Sequence, residues 1–273
     1  MIKIIDVDAL FDKYISDFVY SNIGKVNPEE IENQIPNLYV EFGDKEFKEL
    51  DGKTPNTYYR EYPVEELLDC LKTHLEKGVS VSDFLCEAIS QNLDNEDALV
   101  RYLDKELEEE MTLYLMNMLA DMGSKKTANK YLEFVLWDYS EPIRELATEE
   151  LSKNANAVKD RIVEQFNEVE EYKKDSLCEI LSNASKDDRV FEILINRFLL
   201  CADKIPMYSA FLSKYGDEKA LPYLMTAIEN SKINYADFEE LRFAIEALGG
   251  EYDKIRDFSA DKTYKKIKSS KKN

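Results

Sequence analysis

An apolar or small residue, a second apolar residue four positions on, and a small residue four further on recur along this chain at a nearly constant interval. Leu115, Leu119 and Gly123 open the series; Ala147, Leu151 and Ala155 follow, then Ser176, Ile180 and Ala184, then Tyr208, Leu212 and Gly216, and last Leu241, Ile245 and Gly249. The closing residues are 32, 29, 32 and 33 positions apart. Steps of four put the first two members on one face of a helix, and a small third member suits a sharp exit turn. An interval of about thirty residues accommodates one helix-turn-helix unit. A single helix pair cannot bury both of its faces, so the pattern demands that successive units stack.

Composition agrees with an all-α chain. Only eight glycines and seven prolines punctuate 273 residues, and long stretches are rich in Glu, Lys, Leu and Ala, which lose little side-chain entropy in a helix. Hydrophobic residues at 44% supply a continuous core,.

Two segments carry a family resemblance. Tyr215-Gly216-Asp217-Glu218-Lys219-Ala220-Leu221-Pro222-Tyr223-Leu224 resembles the turn and opening helix of a HEAT repeat, where a Gly-Asp turn leads to a small residue, a proline and a leucine. Pro142-Ile143-Arg144-Glu145-Leu146-Ala147, running on to Leu151, is similar to the family's second helix. The resemblance covers roughly residues 63 to 255. It implies a right-handed α-α superhelix of HEAT or armadillo type and no particular activity. The expected organisation is a helical cap over residues 1–62, helix-pair repeats over 63–258 and a basic, disordered tail over 259–273.

In the cap, Val7, Leu10, Phe11, Tyr14, Ile15, Phe18 and Val19 recur at helical spacing, with Gly24 as terminator,. Asn27 and Glu30 form a capping box around Pro28, and Ile31, Ile35, Leu38 and Phe42 continue a second helix in which Pro36 predicts a kink or break,. Asp51-Gly52 closes the segment. The tail carries Lys262, Lys265, Lys266, Lys268, Lys271 and Lys272.

Several function classes fall away. A formal net charge of −20 repels phosphate backbones, so nucleic acid is not expected as a partner outside the lysine tail,. Cys70, Cys86, Cys178 and Cys201 form no C-x-x-C pair and read as small buried hydrophobes of a reducing cytoplasm,. Acids enter at Asp6 and Asp8 before a signal-peptide apolar region develops, and even 191–202 is interrupted by Glu192, Asn196 and Arg197, so no membrane span is expected,. Gly52-Lys53-Thr54 lacks the earlier glycine of a phosphate-binding loop, since Phe47 holds that position; it reads as a turn, a cap at Thr54 and a helix start at Pro55,. His74 is the sole histidine, which excludes multi-histidine metal sites and places it as a surface or capping residue in a last helical turn,.

Trp137-Asp138-Tyr139 invites comparison with HEAT-like DNA glycosylases, which need a basic groove; Trp137 reads instead as a core or interface anchor,. The acid runs Glu106, Glu108, Glu109, Glu110 and Glu168, Glu170, Glu171 read as solvated helix faces,. No catalytic, cofactor or metal constellation assembles, and no cofactor is expected. The leading expectation is a non-catalytic scaffold that presents its second helices to a protein or peptide. The candidate partner-binding residues are those where the family's arginine would stand near each second-helix start: Thr112, Arg144, Lys173, Ile205 and Phe238. Only Arg144 keeps the arginine, so no basic ladder is expected. A resemblance to HEAT-like bilin lyases implies the alternative of an enzyme acting on a small molecule, and the lysine tail leaves nucleic-acid binding as a third expectation.

Overall fold

The computed structural model describes residues 2–22 and 28–270. All regular structure among them is helical, apart from one isolated bridge between Phe47 and Lys53. Gly24, Asn27, Lys271 and Lys272, and the Glu30 side chain, lie outside the described residues. The chain forms two compact units, Met1–Thr127 and Ala128–Asn273.

The first unit contains α1 (Val7–Asn22), α2 (Pro28–Gly43), α3 (Pro55–Tyr58), α4 (Val64–Lys77), α5 (Asp83–Ser90), α6 (Glu96–Leu103) and α7 (Glu109–Asp121). α2 runs unbroken across Pro36. Beyond that proline Leu38 and Phe42 are buried, and aromatic packing fixes the second half of the helix: the Phe42 ring lies 5.2 Å from Phe11 on α1, 4.8 Å from Phe47 and 6.1 Å from Phe84 on α5. Phe84 also stacks on Tyr39 at 5.3 Å. These rings join the expected cap to α5, within the compact unit Met1–Thr127.

The second unit contains α8 (Ala128–Leu136), α9 (Glu141–Lys153), α10 (Lys159–Gln165), α11 (Lys174–Leu181), α12 (Asp188–Leu200), α13 (Ile205–Tyr215), α14 (Leu221–Ile228), α15 (Tyr235–Ala247) and α16 (Lys262–Ser270). The first helices α8, α10, α12 and α14 pack on the second helices α9, α11, α13 and α15 respectively. The second helices also pack in series, α9 on α11, α11 on α13 and α13 on α15. The five sequence triplets fall on α7, α9, α11, α13 and α15, and each closing residue lies just past its helix end. The opening pairs are buried except for Ser176, which is half-buried. Gly216 shows what the small residue does: at φ +74° it sits in the left-handed region and its N–H bonds back to the Leu212 carbonyl, ending α13,.

Polar rungs between successive pairs share the sequence period. Along the first-helix starts, Arg161 donates to Asn129 at 2.7 Å, Arg189 to Asp160 at 2.6 Å, and Lys219 pairs with Asp188. The partners are 32, 29 and 31 residues apart. Residue 259 onward, expected as a disordered tail, carries α16. Asp261 caps it, accepting from the Tyr264 N–H at 3.0 Å, and Tyr264 packs edge-on against Tyr235 of α15 at 5.0 Å,.

Candidate functional site

The second helices of the second unit begin at an edge where polar side chains from neighbouring pairs meet. At the first such turn Trp137 and Asp138 follow the end of α8. Trp137 is 57% exposed, which removes the core alternative from its expected role as a core or interface anchor. Tyr139 takes the inward position, packing on Phe134 at 4.6 Å. Asp138 accepts from the Tyr172 hydroxyl at 2.7 Å and pairs with Lys173 at 3.0 Å. These two partners, Tyr172 first, hold its carboxyl below the usual range.

Lys173 is only 2% exposed. Its ammonium donates to the Leu136 carbonyl at 2.7 Å, the last residue of α8, and reaches Glu170 at 3.2 Å. A cation at a helix C-terminus meets the negative end of the dipole and satisfies a carbonyl that lacks an intrahelical donor. Burial works to lower its pKa, but the bonds from Asp138, Tyr172 and Glu170 outweigh it and the ammonium is stabilised. Lys173→Met keeps the apolar stem and removes these bonds; it should cost about 2 kcal/mol, read as a lower urea midpoint at unchanged slope.

One pair further on, Arg197 of α12 is buried and donates from Nε to the Tyr208 hydroxyl at 3.0 Å. Tyr208 in turn donates to Asp175, which also pairs with Lys204, and Arg197 reaches Glu171 and, at 3.6 Å, Asp175. Burial alone would raise the Asp175 pKa; Lys204, Tyr208 and Arg197 reverse this and hold it below its ordinary value. Such a lowered carboxyl stabilises the fold fully above its unfolded pKa and loses that contribution as pH falls through the folded value. Asp175→Asn should therefore lower stability at neutral pH, and its stability should fall less steeply than the wild type's below about pH 4. Parallel slopes in acid-urea titrations would contradict the assignment.

Rungs Asp138–Tyr172/Lys173 and Asp175–Lys204/Tyr208 tie the starts of α9, α11 and α13 in sequence, so the turns before them line one edge. Exposed on it are Trp137, Tyr172 and, at the end of α12, Leu199 and Leu200, the last 77% exposed. Arg144 is half-buried, 5.7 Å over the Tyr172 ring,.

Of the five residues expected to bind a partner, Arg144 alone retains this access. Thr112 is buried in α7, its hydroxyl spent on the Glu108 carbonyl at 3.1 Å; Lys173 is the internal cap just described; Ile205 and Phe238 are core side chains. The start of a second helix faces its neighbours in the stack as much as solvent, which is why four positions turned inward. Glu170 and Glu171 are exposed, in keeping with a solvated face, and from there ion-pair with Lys173 and with Arg197 and Lys174. Sequence reasoning missed Arg197 and Leu200, although an arginine inside an apolar run beside Leu199-Leu200 was a usable signal.

The remaining motifs resolve into structure. Gly52-Lys53-Thr54 forms a tight turn in which Gly52 N–H bonds to the Phe47 carbonyl at 2.9 Å and Lys53 pairs with Glu61, leaving no open cradle. His74 does lie in the last turn of α4, but its side chain is buried, with Nδ1 2.8 Å from the Ser80 carbonyl, because the chain after Gly78 folds back over it. Burial pushes the Cys70 thiol up to about 11 and the Cys86 thiol up to about 12, and also raises Cys178, opposite to what an activated nucleophile needs,. Among the described residues no cluster of metal-ligating side chains assembles, and no helix is long and apolar enough to cross a membrane. No protein-family description matches the chain, and no curated protein or solved structure was found to be similar to it.

Proposed function

We propose that this protein is a non-catalytic interaction module whose helix pairs form a HEAT-like solenoid, and that the turn edge before α9, α11 and α13 receives a protein or peptide partner. The observation that carries the reading is the clustering of exposed Trp137, Tyr172, Leu199 and Leu200 beside ionic rungs whose cations, Lys173 and Arg197, are buried. Exposed large apolar side chains on a rigid support lose little conformational entropy on binding, and Trp, Tyr and Arg dominate interface energetics. Arg144, which has no carboxylate partner among the described residues, adds a cation to the same edge. Tyr208 and Arg197 look like acid-base groups, but both are buried and fully engaged with each other, Asp175 and Glu171, so their chemistry supports the edge.

The test compares capture from source-organism lysate by the wild type and by the double variant Trp137→Ser, Leu200→Ser, at low and moderate salt. Both side chains are already exposed, so folding should be unaffected. A discrete protein partner retained by the wild type at moderate salt and lost by the variant supports the reading. Equal retention by both would remove the edge from the interaction.

A further inference from the structure

The last helix reverses the electrostatics of the chain. α16 holds Lys262, Lys265, Lys266 and Lys268 and no acid, on a protein of formal net charge −20. All four lysines are exposed, and among the described residues none forms an ion pair, although, after the Tyr264 N–H, the charge of Lys265 helps hold the carboxyl of Asp261, one turn away, below its usual range; Lys268 reaches the Tyr264 hydroxyl at 3.3 Å. Elsewhere in the second unit Lys159, Lys173, Lys174, Lys204, Lys219 and Lys254 are ion-paired, while Lys186, Lys214 and Lys232 stand singly on separate segments, so α16 is where lysines without ion pairs cluster. Nor is α16 loosely attached. Asp261 accepts from Tyr264 N–H at 3.0 Å and from Tyr235 N–H at 3.3 Å, joining the starts of α16 and α15.

Beside it lies a groove of about 700 Å³ formed by α15, the segment 252–258 and Tyr264. Buried rings support it from within the core: Phe238 lies 5.0 Å from Phe258 and 5.9 Å from Tyr252. Arg256 lies 5.1 Å over Phe238 while donating to the Ile228 and Asn230 carbonyls at 2.7 and 2.8 Å. Ile255 on the rim is 99% exposed. Four carboxylates line the wall, so the acids of a ligand are received by the α16 lysines and not by the groove: Glu239 and Glu246 face Arg242 at 2.8 and 3.9 Å, Asp257 accepts from the Ser259 N–H at 2.8 Å, and Asp253 completes the set.

We infer that α16 and this groove form a second docking site, for an acidic peptide segment carrying an apolar side chain. The lysines supply point charges suited to carboxylates, and exposed Ile255, with Tyr252 beside it on the mixed polar and aromatic groove, supplies the apolar contact for the anchor,. A short anion is selected over a long one. α16 spans only about 13 Å, and screening confines its field to about 8 Å at physiological salt, so an extended polyanion would run onto acidic surface. A lipid surface fits less well, because the one aromatic residue of α16 is spent against Tyr235 and an interfacial helix needs its apolar face free,. The site uses none of the residues of the turn edge.

The experiment measures fluorescence anisotropy of the full chain with a labelled glutamate peptide of about six residues, roughly 20 Å when extended, containing two central phenylalanines. An all-glutamate peptide, a DNA duplex of about twenty base pairs and phosphatidylserine-containing vesicles serve as competing probes. The phenylalanine-bearing peptide should bind most tightly, and more tightly than the all-glutamate one. Lys265→Glu with Lys266→Glu should weaken it about tenfold, and Ile255→Ser severalfold, with unchanged circular dichroism and Tm. Absence of peptide binding, equal binding by folded variants, or preference for duplex or vesicles would overturn the inference. Losing the turn edge by Trp137→Ser and Leu200→Ser should leave this affinity unchanged.

Discussion

Arg197→Ala should lower the unfolding free energy of the second unit by about 3 kcal/mol, among the largest effects available from a single polar residue. The guanidinium is 6% exposed and links three groups, Tyr208, Glu171 and Asp175, across α11, α12 and α13. Truncation removes that link and leaves Asp175 with its negative charge held chiefly by Lys204. The penalty is that of stranding partly buried partners, which exceeds the net worth of the intact pair. Tyr208→Phe should cost less, about 1 kcal/mol, because it deletes one hydroxyl while Arg197 and Asp175 keep each other in reach. The chain has one tryptophan, Trp137 in the second unit, so intrinsic fluorescence through a urea titration reports this unit. A midpoint for Arg197→Ala within error of the wild type would show that the network is solvated and dispensable.

Phe42→Ala should cost about 3 to 5 kcal/mol in the first unit. The ring is fully buried and lies within 6.5 Å, centroid to centroid, of Phe11, Tyr14, Tyr39, Phe47 and Phe84. These rings come from α1, α2, α5 and the turn at Phe47, so rigid backbone elements on several sides prevent collapse into the cavity. Amide exchange in α2 and α5 should accelerate, while exchange in α11 and α13 provides the comparison. A loss below about 1 kcal/mol would mean that the aromatic cluster repacks freely.

The helix ends were legible because a small residue past an i, i+4 apolar pair records a local requirement: Leu212 is buried and Gly216 takes a left-handed φ whatever packs above. The rungs were not legible. Lys204–Asp175, Arg189–Asp160 and Arg161–Asn129 use different residue types at nearly equal offsets, and their meeting depends on how neighbouring pairs register, which no local pattern states. Lys173 illustrates the cost. Its position was found correctly as a second-helix start, yet its side chain turns back to the Leu136 carbonyl and becomes internal. Trp137, expected as a core or interface anchor, loses the core alternative because Tyr139 two residues later occupies the inward place against Phe134. For α16 the lysines suggested a solvated tail, while one acid and one aromatic, Asp261 and Tyr264, dock it.

Hydrogen exchange of the chain with its captured partner shows whether the turn edge receives it. Exchange should slow on binding at 137–144, 170–174 and 199–204, with α1 and α2 unchanged and the protection abolished by Trp137→Ser and Leu200→Ser. Protection that leaves all three segments untouched would contradict docking on this edge.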